Sequence, residues 1–177
     1  MDKQDIKLTD GRVIEIQVSF LTLYLIKNNN LDKETKALKR MTDKYEKMDD
    51  KSSVAAKKLH EKIEDKQFYM AAKMIYVILR SNREKVEFED ALALCPIEPD
   101  AIVNIIKQFE NKMEILKKKR QYEEFCEEQE IDFTMNLYLA LTQLNLSEDD
   151  FWHMSPITFD ELLETHVEFE RSKIEHG

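Results

Sequence analysis

The chain has 177 residues, of which 42% are hydrophobic and 36% charged, with a formal net charge of −9; that apolar share supports a packed core and argues against global disorder. Only two glycines and three prolines occur, so a turn-rich sandwich or doubly wound sheet is disfavoured, and no glycine-rich phosphate loop or dinucleotide fingerprint is present. The expectation is a mainly α fold, either one domain or one domain with a small helical appendage.

Taken in chain order, Ile6 to Gln17 reads as a β-hairpin. Ile6 and Leu8 alternate with polar residues, Asp10-Gly11 supplies the turn, and Val13, Ile14 and Ile16 follow. A lone hairpin is marginal in water, so it is expected to lie on the helices. Ser19 is positioned to cap a short helix through about Lys27, with Phe20, Leu23, Tyr24 and Ile26 as its apolar residues and Asn28-Asn29-Asn30 at its end. The segment 32–51 is highly charged, with Leu38, Met41, Tyr45 and Met48 at helical spacing. It is either a helix with one thin apolar stripe or a partly mobile stretch.

Ser52 or Ser53 opens a long helix to about Ser81, with Leu59, Ile63, Met70, Met74 and Val77 near one face. From Phe68 to Leu79 both faces turn apolar, which predicts burial on all sides and the spine of the core. Phe88 to Leu94 reads as a short helix stopped by Cys95-Pro96, and Pro99 opens another long helix striped by Ile102, Ile105, Ile106, Phe109, Met113 and Leu116. That helix is expected to end near the basic run Lys117 to Arg120, which suits the negative end of a helix dipole.

The composition then changes. Residues 124–177 hold 14 acidic and 2 basic side chains, a charge of −12, whereas residues 1–123 hold 22 acidic and 25 basic, a charge of +3. Two parts are therefore expected: a helical body with an N-terminal hairpin over 1–120, and a small acidic helical module over 124–177. Phosphate backbones repel such a module, so nucleic-acid binding through it is disfavoured. Within it, Phe133 to Leu144 reads as a compact apolar helix. Ser147-Glu148-Asp149-Asp150 resembles a capping box leading into Phe151-Trp152-His153-Met154. Ser155-Pro156 breaks the chain, and Thr158-Phe159-Asp160-Glu161 forms a capping box that starts the last helix.

Signals for chemistry are sparse. His60, His153, His166 and His176 form no zinc-binding pattern, and the pairs Asp149/His153 and His166/Glu170 supply two ligands where a site needs three or four. There is no nucleophile elbow. Cys95 and Cys126 lie in apolar helical patterns without a neighbouring histidine or basic cluster, as expected of reduced core thiols. The expectation is a non-enzyme without cofactor or metal. The start Met1-Asp2-Lys3-Gln4-Asp5 is no signal peptide, and Phe68 to Leu79, interrupted by Lys73, is too short to span a bilayer, so a cytoplasmic protein is expected. Phe151, Trp152 and Met154 are candidate partner-binding residues, because such side chains are enriched at interface hot spots; they equally suit a role locking two short helices together in a module with little core.

Two stretches carry a family resemblance. Phe133 to Leu141, followed by Leu146 to Pro156 (Leu-Ser-Glu-Asp-Asp-Phe-Trp-His-Met-Ser-Pro) and a capped helix, is similar to the C-terminal part of siphophage tail assembly chaperones. The hairpin around Asp10-Gly11 followed by Ser19 to Leu23 resembles the start of those from phages of Gram-positive hosts. Together they span roughly half the chain; the middle helices add nothing diagnostic. The resemblance implies a chaperone that binds the tape-measure protein and keeps it soluble. A C-terminal extension, made by programmed frameshifting in the long form, would recruit the tail-tube protein. It also implies action in the host cytoplasm and absence from the finished virion. Lys117-Lys118-Lys119 suits an adenine-rich slippery run, although an unshifted chain is equally compatible. Self-association is expected, since many copies along one client gain by multivalency. The alternative is a small acidic phage or bacterial regulator that binds and inhibits a host protein, suggested by the −12 module.

Overall fold

A computed structural model describes residues 5–121 and 131–176. It contains, among the described residues, a two-stranded antiparallel hairpin and eight helices. The fold is mainly α with an N-terminal β-hairpin. Cys126 and the expected boundary between 120 and 124 border or fall on residues 122–130 and lie outside the described residues.

The hairpin pairs β1 (Asp5–Lys7) with β2 (Val13–Glu15), with Ile6 opposite Ile14. Its turn is closed by Leu8 N–H donating to the Arg12 carbonyl at 2.9 Å and Gly11 N–H donating to the Leu8 carbonyl at 3.1 Å. Gly11 sits at φ +85, a left-handed conformation that a side chain disfavours. Asp10 and Arg12 pair at 2.7 Å across the same turn, and Arg12 also reaches Glu84 at 2.9 Å. The hairpin's alternation puts Ile6, Leu8, Ile14 and Ile16 into the core, as period-two patterning requires.

Helix α1 (Phe20–Asn28) is followed by α2 (Leu31–Glu46), which resolves the charged segment as a helix up to Glu46 and leaves Met48, expected at helical spacing, beyond its end. Asn30 takes a left-handed φ of 54 between them, a conformation Asn tolerates. The thin stripe of α2 is used: Leu31 and Leu38 are buried, and Met41 and Tyr45 lean on the same core.

Helix α3 (Val54–Ser81) is the spine, capped by Ser53, whose hydroxyl accepts from the Ala56 N–H at 3.2 Å. Helices α1, α2, α4 (Phe88–Leu94) and α5 (Pro99–Gln121) and strand β2 all pack on it. Met70, Met74, Ile75, Val77, Ile78 and Leu79 are essentially fully buried, each contributing about 1.5–3 kcal/mol by removal from water. Burial is not complete around the helix, which corrects the expectation from sequence. Tyr69 is exposed, and Lys73, Tyr76 and Arg80 are half-buried at helical spacing along one strip. Neighbours cover them only in part: Lys73 pairs with Glu34 of α2 and Tyr76 packs edge-on against Phe88 of α4, while the polar tips reach solvent.

Beyond 130, α6 (Phe133–Thr142), α7 (Glu148–His153) and α8 (Pro156–His176) follow. The start of α8 also departs from expectation. The Ser155 hydroxyl accepts from the Thr158 N–H at 3.0 Å, so Ser155 is the cap and Pro156 the first helical residue. Proline fits there because its missing N–H would have no helical partner in any case.

Candidate functional site

The core divides in two. The larger cluster surrounds α3, and a second gathers the buried residues Phe20, Ala140, Phe151 and Phe159. Phe20 is the member contributed by the first 121 residues; the other three come from the acidic module. The N-terminal and C-terminal stretches singled out in the sequence thus pack onto each other.

Phe20 is set by its helix cap. The Ser19 hydroxyl accepts from Thr22 N–H at 3.3 Å, and Ser19 N–H donates to Thr22 Oγ1 at 2.9 Å, completing a capping box. Thr22 Oγ1 also lies 2.7 Å from Ser81 Oγ, which donates to the Val77 carbonyl at 2.8 Å. This buried hydroxyl chain ties the first turn of α1 to the last turn of α3. Phe20, the first residue of α1, would leave its own N–H unsatisfied within the helix. It donates instead to the Met154 carbonyl at 3.1 Å, at the end of α7.

Around that contact the rings interlock. Phe20 stacks on Phe151 at 4.4 Å between centroids and meets Phe159 edge-on at 5.4 Å and Phe133 edge-on at 6.5 Å. These are favoured aromatic geometries, worth about 0.5–1.5 kcal/mol per pair beyond burial. Trp152 lies on the outer side, 5.2 Å from Tyr24 and 6.1 Å from Phe133, and its Nε1–H donates to Glu148 at 3.2 Å. The turn that carries these rings is closed by Ser147, whose hydroxyl accepts from Asp150 N–H at 3.1 Å. Hydrogen bonds from Ser147 hold the Asp150 carboxyl below the usual carboxylate range. At the rim, Arg83 pairs with Asp149 at 2.6 Å with both side chains largely exposed.

The structure brings Phe151, Trp152 and Met154 to one junction but gives them different surroundings. Phe151 is fully buried and presents no surface to a partner in this arrangement. Trp152 and Met154 are partly exposed, and Met154 also supplies the carbonyl that receives Phe20. Sequence reading missed Phe20 as their partner.

Other exposed apolar side chains in the module escaped the sequence reading as a surface. On α6, Met135, Tyr138 and Leu141 recur at three-residue spacing and are exposed, on the side away from buried Ala140. On α8, Leu162, Val167, Phe169 and Ile174 are exposed. The signal was available as helical periodicity that exceeds what a fifty-residue module needs for its own core.

Elsewhere, two open depressions of about 340 and 370 Å³ flank α3, the first bordered by Phe68, Tyr69, Ile97 and Ile102, the second by Glu34, Lys62, Lys66 and Lys73. Lys73 in the second is paired with Glu34 at 2.7 Å. Burial pushes the Cys95 thiol up to about 12, so it is a poor nucleophile near neutrality. Among the described residues no three His, Cys, Asp or Glu side chains converge as metal ligands. No described helix is long and apolar enough to cross a membrane. No protein-family model matches the chain, and neither a curated protein nor a solved structure matches it.

Proposed function

We propose that the chain is a protein-binding chaperone of the siphophage tail-assembly kind. In this reading the helical body engages a tape-measure protein and the acidic module recruits tail-tube subunits. The observation that carries the reading is the Phe20 cluster. The two stretches that resemble such chaperones, Ser19 to Leu23 and Phe133 to Pro156, meet in a single aromatic junction. That junction leaves Trp152 and Met154 partly exposed, and α6 carries a separate apolar face of Met135, Tyr138 and Leu141. Met, Tyr and Trp side chains on an otherwise acidic surface suit contact with another protein. A tape-measure protein, as a long helical chain, would expose apolar stripes before assembly, and shielding them requires binding surfaces and no cofactor. Several copies would act together along one client, as homo-oligomers or an array. The work would be done in the host cytoplasm before the tail is complete.

The test is a pull-down from phage-producing cells with the tagged full-length chain, repeated with Trp152→Ala, read by mass spectrometry. Tape-measure protein with both baits, and tube protein only with the unaltered chain, is the expected result. Recovery of a host protein and neither tail protein would refute the reading. It would favour the alternative that the −12 charge of residues 124–177 suggests, an acidic regulator of a host target.

A further inference from the structure

Helix α8 outlasts the core on which it starts. Phe159 is fully buried against Phe20 and Phe151, and Leu163 is half-buried against the same cluster. The helix then runs on to His176. Along this continuation Phe169 is 58% exposed and Ile174 82% exposed, with Leu162 and Val167 also open. At 100° per residue, Leu162, Leu163, His166, Val167, Phe169 and Ile174 fall within an arc of about 160°. Glu161, Glu164 and Glu168 lie on the opposite side of the same helix, while Glu170 and Lys173 fall within the arc.

Charge discriminates among possible occupants. Residues 131–177 hold ten acidic and two basic side chains, a charge of −8. That charge repels nucleic acid and the anionic surface of a bilayer. It also opposes pairing with a second copy of α8, which brings six acidic and two basic residues of its own. A helix with an apolar stripe flanked by lysine or arginine is attracted on both counts. The stripe already holds a cation in place: Lys173 Nζ lies 4.3 Å over the Phe169 ring while pairing with Glu170 at 2.7 Å. An incoming arginine or lysine would find the same ring and the same carboxylate.

We propose that the α8 face from Leu162 to Ile174 docks an amphipathic, basic helix of a partner protein, with Phe169 and Ile174 as its apolar anchors. The proposal rests on the reading that the acidic module binds protein, and it names the chemistry of the partner.

The experiment measures fluorescence anisotropy of a labelled leucine–lysine amphipathic helical peptide on the full chain, at physiological salt. A leucine–glutamate peptide of equal length is the control. The variant is the double substitution Phe169→Ser and Ile174→Ser, both at exposed positions, with Trp152 emission and far-UV circular dichroism verifying an unchanged fold. The leucine–lysine peptide is expected to bind, the leucine–glutamate peptide not, and the double variant to bind at least about tenfold more weakly. Equal binding of variant and unaltered chain would overturn the proposal, as would equal binding of the two peptides. Self-association of the chain that the double variant abolishes would overturn it in favour of a second copy. The pull-down separates this from the functional reading. Equal peptide binding by the variant and the unaltered chain, with tube protein recovered by both, overturns the docking face and leaves the chaperone reading standing. Peptide binding that fails only in the double variant, with no tail protein recovered, does the reverse.

Discussion

Replacing Phe20 by alanine should detach the acidic module while leaving the α3 core folded. Phe20 is fully buried and contributes one face of the stack with Phe151 and one edge contact each with Phe159 and Phe133. Phenylalanine-to-alanine truncation in a core costs about 3–5 kcal/mol. A core the size of this module's supplies only about 3–5 kcal/mol in total, so the loss is comparable with everything that holds the module in place. The Ser19 cap and the Thr22–Ser81 bond do not involve the Phe20 side chain and survive the substitution. The chain has a single tryptophan, and Trp152 packs on Tyr24 and Phe133 at this junction, so its emission reports docking directly. Phe20→Ala should red-shift that emission in native buffer. It should also strip amide-exchange protection from residues 133–153 and preserve it for residues 70–79. Unchanged emission and unchanged protection in α6 and α7 would refute the account. So would protection lost from α3 in step with α6, which would make the two clusters one cooperative unit.

Other outcomes follow from local chemistry. Ser19→Ala removes a helix cap and one end of the buried hydroxyl chain, and should lower stability by about 1–2 kcal/mol in urea titration. Gly11→Ala meets no atom within 4 Å, so its whole penalty is the positive φ, about 1 kcal/mol in thermal unfolding; D-alanine at the same site should carry none. Arg83→Ala breaks an ion pair whose side chains are 57% and 62% exposed, and should change stability by no more than about 0.5 kcal/mol. The Cys95 thiol, pushed up to about 12 by burial, keeps its proton in the folded state after the unfolded state has lost it. Its contribution is therefore intact below the ordinary thiol range and fades as pH climbs toward 12, a slope that Cys95→Ala should remove. In native buffer at pH 8, peptide mapping should find Cys95 almost unalkylated.

Helix starts were the most legible part of the chain, because a cap is written in four adjacent residues. Ser19, Pro99 and Ser147 act where local sequence places them, and of the two starts it offered for α3, Ser52 or Ser53, the chain takes Ser53. The exception is informative. Thr158 to Glu161 satisfies the capping-box pattern, yet Ser155 and Pro156 offer an earlier start, and the chain takes it, adding helical residues ahead of buried Phe159. Helix α2 was undecidable from sequence, since its stripe is thin and its fate depends on whether α3 offers a matching surface. The half-covered strip at Tyr69, Lys73, Tyr76 and Arg80 was invisible for the complementary reason: periodicity shows which side chains are apolar, and only packing shows how far each side is covered. Least legible was the junction itself. Phe151 and Trp152 stood out by type, but nothing local to them points to Phe20 at the other end of the chain.

The order in which the chain is synthesised gives the Phe20 junction a temporal consequence. Ribosomes add about 5–20 residues per second, so Phe20 and Tyr24 are made on the order of ten seconds before Phe151 and Trp152. The α3 core draws its buried members from residues 6–109 and has all of them in hand during that interval. The first helix must therefore wait with its aromatic face open to solvent, available to any neighbour that arrives before the chain's own last helices do.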